Sequence, residues 1–82
     1  MNQHHLIEMA NQIGGFFESL PDRDEALFDI AEHIRKFWEP RMRRTILAAL
    51  DSGEAHESGL SEIVEAALRK HRDALTPAEA TA

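Results

Sequence analysis

Cysteine and tyrosine are absent from this 82-residue chain, which has only four glycines and three prolines. Without cysteine the chain can form no disulfide, no thiolate metal site and no iron–sulfur ligation. Its stability must therefore rest on apolar packing, which in a chain of this size only just offsets the conformational entropy lost on folding. We expect one small domain over residues 1–75 and a frayed C-terminal tail over residues 76–82.

Long apolar runs are absent as well. No segment approaches the roughly 20 apolar residues that a membrane-spanning helix needs. The first residues, Met1 to Gln12, lack the basic-then-apolar order of a signal peptide. The sequence therefore predicts no membrane partner.

Charge is unevenly distributed along the chain. The formal net charge is −6, and residues 1–34 carry −6, residues 35–44 carry +4 and residues 45–82 carry −4. An acidic chain thus contains one basic segment, 35–44, in which arginine and lysine alternate with Phe37 and Trp38.

The spacing of the apolar residues predicts an all-α fold, a small antiparallel bundle of three to four helices, and no strand. Pro21 separates the first two helices, and Asp22 followed by Glu25 has the pattern of a capping box. Residues 53–59 form a polar loop in this prediction. The first three helices are expected from Gln3 to Ser19, from Asp22 to Trp38 and from Pro40 to about Asp51. A fourth helix is expected to open at Ser61 and to carry His71 near its C-terminus.

The first two helices share one apolar pattern, which repeats after 21 residues. We expect Ile13, Phe17, Ile34 and Trp38 in the core, with Phe16 and Phe37 on the same core-facing stripe. Two further apolar residues lie off this stripe. These are Ile7 and Phe28, which are either covered by the third or fourth helix or exposed as a face for another protein.

Glycine inside a helix lowers helix stability by about 1 kcal/mol relative to alanine, so the presence of Gly14 within the first helix requires an explanation. It falls on the same off-stripe face as Ile7. A close approach by another backbone or a break in the helix would each explain it.

The basic segment allows two interpretations. Cations alternating with aromatic residues can bind nucleic-acid phosphates and stack on bases. However, Trp38 falls on the core stripe, and Arg41 and Arg44 share a helix face that Arg43 does not. An acidic protein partner or the chain's own carboxylates fit this divided set better.

Nothing in the sequence points to catalysis or to a metal site. His4 with Glu8, and Asp29 with His33, could each share a helix face, but zinc requires three or four ligands. His71 lies on the apolar side of the last helix and is expected to be a packed histidine. No nucleophile–base pair, phosphate loop or glycine fingerprint occurs.

Several strings resemble the delta subunit of NAD-dependent, molybdenum-containing formate dehydrogenase. They are Met9-Ala-Asn-Gln-Ile-Gly14, the pair Phe16-Phe17, Ala31-Glu-His-Ile-Arg35 and Phe37-Trp-Glu-Pro-Arg-Met-Arg43. The last string is the most specific. A weaker resemblance continues from Gly59 to Arg72, so residues 4–72 are covered.

This resemblance implies a non-catalytic accessory subunit of a cytoplasmic enzyme. Molybdopterin, iron–sulfur clusters and flavin belong to the partner subunits in that family, and none is expected in this chain. The implied partner is the catalytic alpha subunit, whose assembly or cofactor retention the delta subunit would support. We expect the partner contacts at Ile7, Asn11, Gln12, Phe28, Arg41, Arg43 and Arg44.

Two alternatives of other classes remain at this stage. One is a small nucleic-acid-binding helical module that uses residues 35–44, which a steep dependence of affinity on salt would reveal. The other is a homo-oligomer in which the isolated chain uses its exposed faces on itself.

Overall fold

The structure is a computed structural model that describes residues 2–78. Over this range the chain is all-helical, and none of its helices is long and apolar enough to cross a bilayer. The helices are α1 (Gln3–Phe17), α2 (Arg23–Phe37), α3 (Pro40–Ser52), α4 (Glu54–Glu57), α5 (Glu62–Lys70) and α6 (Arg72–Leu75).

Local chemistry sets the helix boundaries. The side chain of Asp22 accepts a hydrogen bond from the backbone N–H of Glu25, which confirms the predicted cap of α2. Pro40 occupies the first position of α3, where its missing N–H is not needed. Gly53 ends α3 in the left-handed conformation at φ 86°, which glycine adopts without a steric penalty.

The four predicted helices are present, but the prediction of three to four helices is too low. The predicted polar loop 53–59 contains the single turn α4, because Ala55 buries its side chain in the core. The last predicted helix is divided at His71, and α6 follows it to bring the fully buried Leu75 under the bundle. Apolar anchors at 55 and 75 thus account for both extra turns.

The core is assembled from all six helices and contains no buried charged residue among those described. Ile34 is fully buried and Trp38 is 5% exposed, as predicted. Ile13 and Phe17 pack against the core but are only partly buried. Phe16 and Phe37 depart from the prediction, because they are largely exposed instead of facing the core.

The face of α1 that carries Ile7 and Gly14 packs inside the molecule. Ile7 is only 1% exposed, and Gly14 lies against Val64 and Ile63 of α5. The helix runs through Gly14 without a break. Of the two explanations for Gly14, the close approach of another element is therefore correct. The atoms that approach it belong to side chains of α5 and not to a backbone.

Asn11 connects α1 to the start of α5. Its side-chain nitrogen donates to the carbonyl oxygen of Gly59 at 2.9 Å, and its side-chain oxygen accepts from the N–H of Ser61 at 2.8 Å. Ser61 makes no side-chain cap of its own, so Asn11 satisfies a backbone group at the beginning of α5.

Two arginines connect α6 to α3. Arg43 donates to the carbonyl oxygen of Leu75 at 3.3 Å, at the C-terminal end of α6. Arg72 makes two hydrogen bonds to Asp51, at 2.8 and 2.7 Å. Pro77 is buried, two residues beyond the expected end of the domain, and the rest of the predicted tail, residues 79–82, lies outside the described residues.

Candidate functional site

An open apolar groove runs between α1, the end of α2 and the start of α3. Its volume is about 510 Å³, within the usual range for ligand and peptide pockets. Nine of the described residues line it: Met9, Gln12, Ile13, Phe16, Phe17, His33, Phe37, Trp38 and Met42. We refer to this feature as the groove.

Aromatic rings dominate the groove. Phe16 is 77% exposed and packs edge-on against Phe17, with the ring centroids 5.0 Å apart. Phe37 is 70% exposed and lies beside His33 at 4.8 Å. Fully burying a phenylalanine side chain is worth roughly 1.5–3 kcal/mol, so the two exposed rings offer substantial binding free energy to whatever covers them.

The groove exists because α1 has more apolar surface than the molecule buries. At about 100° per residue, its apolar positions cover about half of the helix circumference. The other helices cover the part of this apolar arc that contains Leu6, Ile7 and Ala10. The rest of the arc, with Met9 and Phe16, faces the groove.

The junction of α2 and α3 forms the opposite wall. Residues before proline are disfavoured in helical geometry, and α2 ends at Phe37, three residues before Pro40. Trp38 is extended and turns into the core, while Phe37 remains in the last helical turn and points outward. Met42, in the first turn of α3, closes this wall.

Among residues 2–78, those that line the groove include no carboxylate, although the chain has 15 acidic residues. Arg41 and Arg44 are exposed and lie within one helical turn of Met42, and neither has an ion pair within the part of the chain that the structure describes. Glu39, exposed at the N-cap of α3, is the single acid of the basic segment. The groove is therefore flanked at Met42 by two exposed cations.

The structure separates the three arginines that the sequence placed together. Arg41 and Arg44 face solvent, whereas Arg43 is half-buried and donates to the carbonyl of Leu75. Arg43 thus makes a hydrogen bond within the chain, and its position does not support the prediction that it contacts a partner.

The other predicted contacts also fall into different places. Ile7 is buried, so its prediction as an exposed contact is wrong, because α1 turns that face toward the core. Phe28 is 50% exposed but lies outside the groove, where its ring stands edge-on to His71 at 5.9 Å. Asn11 is engaged with Gly59 and Ser61, and Gln12 is exposed and lines the groove.

Basic residues outside α3 are mostly paired. Arg35 makes two hydrogen bonds to Glu32, at 3.0 and 2.9 Å, and Lys36 lies 3.9 Å from the same carboxylate. The hydrogen bond from Arg35 lowers the pKa of Glu32 and raises the pKa of Arg35. With Trp38 buried and Arg43 turned inward, the segment 35–44 presents no continuous track of cations for a nucleic acid.

The candidate metal pairs gain no further ligand. His4 and Glu8 approach each other at 3.9 Å on the exposed face of α1. Across residues 2–78 no three His, Asp or Glu side chains come together in a way that could hold a metal ion.

Most of the groove was not predicted from sequence. Phe16 and Phe37 were expected to face the core, and Met9, His33 and Met42 were not singled out as contacts. One signal was present, since the apolar arc of α1 is too wide for a single buried stripe. A second was the position of Phe37 in the last turn of a helix that Pro40 brings to an end.

Comparison with known families adds the decisive observation. Residues 5–68 match the family described as NADH-dependent formate dehydrogenase delta subunit FdsD. The chain belongs to the FdsD family. No curated protein and no solved structure shows significant similarity to it.

The range matched to the FdsD family contains every residue that lines the groove, together with Arg41 and Arg44. It ends within α5, before α6 begins. The resemblance identified from the strings around Phe16-Phe17 and Phe37 to Arg43 is thus confirmed.

Proposed function

We propose that this chain is a non-catalytic accessory subunit of cytoplasmic formate dehydrogenase. In this role it binds the catalytic alpha subunit and supports either its assembly or the retention of its molybdenum cofactor. Molybdopterin, iron–sulfur clusters and flavin would all reside in the partner subunits.

One structural observation carries the proposal, which is the groove. Exposed aromatic rings such as Phe16 and Phe37, collected in one concave surface, are typical of a protein–protein contact. Membership of the FdsD family supplies the complex in which such a contact would be made. Because its helices are already formed, a small chain could bind and stabilise a large subunit without having any catalytic activity.

Co-expression tests this function directly. The formate dehydrogenase subunits are produced with and without this chain, and the yield of the complex, its molybdenum content and its formate oxidation are measured. We expect all three to fall when the chain is omitted and to recover when it is supplied from a second plasmid. Unchanged values in its absence would contradict the accessory role.

A folding-deficient variant provides the control. Leu68 is fully buried, and Leu68→Asp would place a carboxylate in the core. This variant should behave like omission of the chain. If it supported the complex as well as the unchanged chain, a folded helical subunit would not be what the enzyme requires.

A further inference from the structure

We propose that the groove holds an amphipathic helix of the catalytic subunit, with apolar residues facing Phe16 and Phe37 and a carboxylate facing Arg41 or Arg44. This inference rests on the proposed function, and it specifies the chemistry of the contact. Three features of the groove support it: its shape, its lining and its charge.

The shape and lining suit a helix. A groove between helices that is lined by aromatic and aliphatic side chains is the standard receptor for an amphipathic helix with anchors at i, i+3, i+4 and i+7. Met9 and Met42 stand on opposite walls, and their unbranched side chains can adjust to the shape of such anchors. Gln12 and His33 are the polar groups of the lining, so few hydrogen-bonding groups would be covered.

The charge distribution selects a helix with acidic residues. In a chain with net charge −6, the groove lining has no carboxylate among residues 2–78. Arg41 and Arg44 lie one and two residues from Met42 and have no ion pair within the same range. Exposed arginines beside an apolar site favour a carboxylate on the incoming segment. Glu39 would repel such a carboxylate, but at the start of α3 it is one acid against two exposed arginines.

A second copy of this chain fits the groove less well. A symmetric dimer would place the same surface on both sides, so that the interface would collect Arg41 and Arg44 from both copies and no carboxylate from the described lining of either groove. Like charges across an interface disfavour such a contact. Self-association through the groove is therefore an outcome that the experiment must be able to detect.

Photo-crosslinking in the assembled complex tests the inference. Phe37→p-benzoylphenylalanine places a crosslinker in the groove, and Phe28→p-benzoylphenylalanine places one on the exposed ring outside it. We expect the groove variant to crosslink to one segment of the catalytic subunit that has helical apolar spacing and an adjacent Asp or Glu. The Phe28 variant should give no crosslink to that segment.

Charge reversal tests the electrostatic part. Arg41→Glu and Arg44→Glu should each lower the fraction of the chain retained on a tagged catalytic subunit by roughly three-fold or more. The control is Arg23→Glu, which reverses another exposed arginine that has no ion pair in the described part of the chain and lies outside the groove. Converting the acid of the crosslinked segment to lysine should restore retention of Arg41→Glu or Arg44→Glu.

The outcomes separate this inference from the proposed function. If omission of the chain leaves the complex unchanged, the accessory role itself fails. If the chain is required but Phe37→p-benzoylphenylalanine crosslinks to a second copy, to a segment without acids, or to no protein, the inference is overturned and the accessory role stands. The inference is also overturned if Arg41→Glu and Arg44→Glu are retained on the catalytic subunit as well as Arg23→Glu is.

Discussion

A Cβ atom on Gly14 would lie 2.5 Å from Cγ2 of Val64, so glycine is what allows α1 and α5 to pack at their observed separation. Val64 is fully buried and β-branched, and it has little freedom to move away. The cost of a glycine within α1 is thus offset by the contact that it permits.

Gly14→Ala is expected to destabilise the chain. The overpacking cost of about 1–3 kcal/mol exceeds the helix-propensity gain of about 1 kcal/mol, so the free energy of unfolding should fall by about 1 kcal/mol. Urea denaturation followed by circular dichroism measures this change.

Gly15→Ala is the matched control, because no atom of another element in the described part of the chain lies within 4 Å of a Cβ added there. Its free energy of unfolding should rise by about 0.5–1 kcal/mol. In a Val64→Ala background, Gly14→Ala should lose its destabilising effect. Equal stabilisation by alanine at both glycines would show that α1 and α5 are not in close contact.

Asn11→Ala should loosen the connection between α1 and the start of α5. It removes the hydrogen bonds to Gly59 and Ser61 and leaves the part-buried N–H of Ser61 without its acceptor. We expect a loss of about 1–3 kcal/mol in the free energy of unfolding. Gln12→Ala, at the exposed neighbouring position, should change it by no more than about 0.5 kcal/mol.

The outcome for Asn11 separates a structural residue from a contact residue. If Asn11→Ala leaves stability unchanged and instead weakens the complex, the original prediction of a partner contact would be correct and the structural role wrong.

Arg43→Leu should release α6. The variant retains aliphatic packing in place of the arginine stem at this half-buried position but no longer donates to the carbonyl of Leu75. Hydrogen exchange should become several-fold faster for the backbone amides of α6, with little change in α1 and α2. Arg41→Leu, at an exposed position on the same helix, should leave exchange in α6 as it was; equal effects of the two variants would contradict this assignment.

Stability should decrease in acid because of paired carboxylates. Hydrogen bonds from Lys70, Arg35 and Arg69 lower the pKa values of Asp24, Glu32 and Glu65, respectively. A lowered pKa in the folded state means that the unfolded chain binds protons first as the pH falls. The stabilisation is complete above the ordinary carboxyl pKa and is lost as the pH falls toward the lower, folded-state value.

The urea midpoint, followed between roughly pH 5 and pH 3, measures this effect. Glu65→Gln should make the midpoint less dependent on pH, since Glu65 accepts from Arg69 at 2.8 Å and also lies 3.6 Å from His56. Glu57→Gln is the control, because Glu57 is exposed and makes no ion pair among residues 2–78. If the urea midpoint of Glu65→Gln depended on pH as steeply as that of the unchanged chain, the ion pair between Glu65 and Arg69 would not form in solution.

Local sequence signals predicted the helices well because each has a local cause. Asp22 with Glu25, Pro40 and Gly53 act within a few residues, and their consequences follow from backbone chemistry alone. The short helices α4 and α6 were missed because Ala55 and Leu75 define them through long-range burial.

The site could be predicted only in part, because it depends on which half of a wide apolar arc becomes covered. The pattern of α1 is consistent with burial of Phe16 or of Ile7, and the packing of α5 against Gly14 decides for Ile7. Likewise, the sequence grouped Arg41, Arg43 and Arg44, whereas the position of Leu75 in space separates Arg43 from the others.

Trp38 gives the groove an intrinsic optical probe. It is the single tryptophan of a chain without tyrosine, and it lies in the groove wall with 5% of its surface exposed. Its fluorescence emission therefore reports on one place in the molecule, so a ligand that displaces water from the groove can be followed without any label.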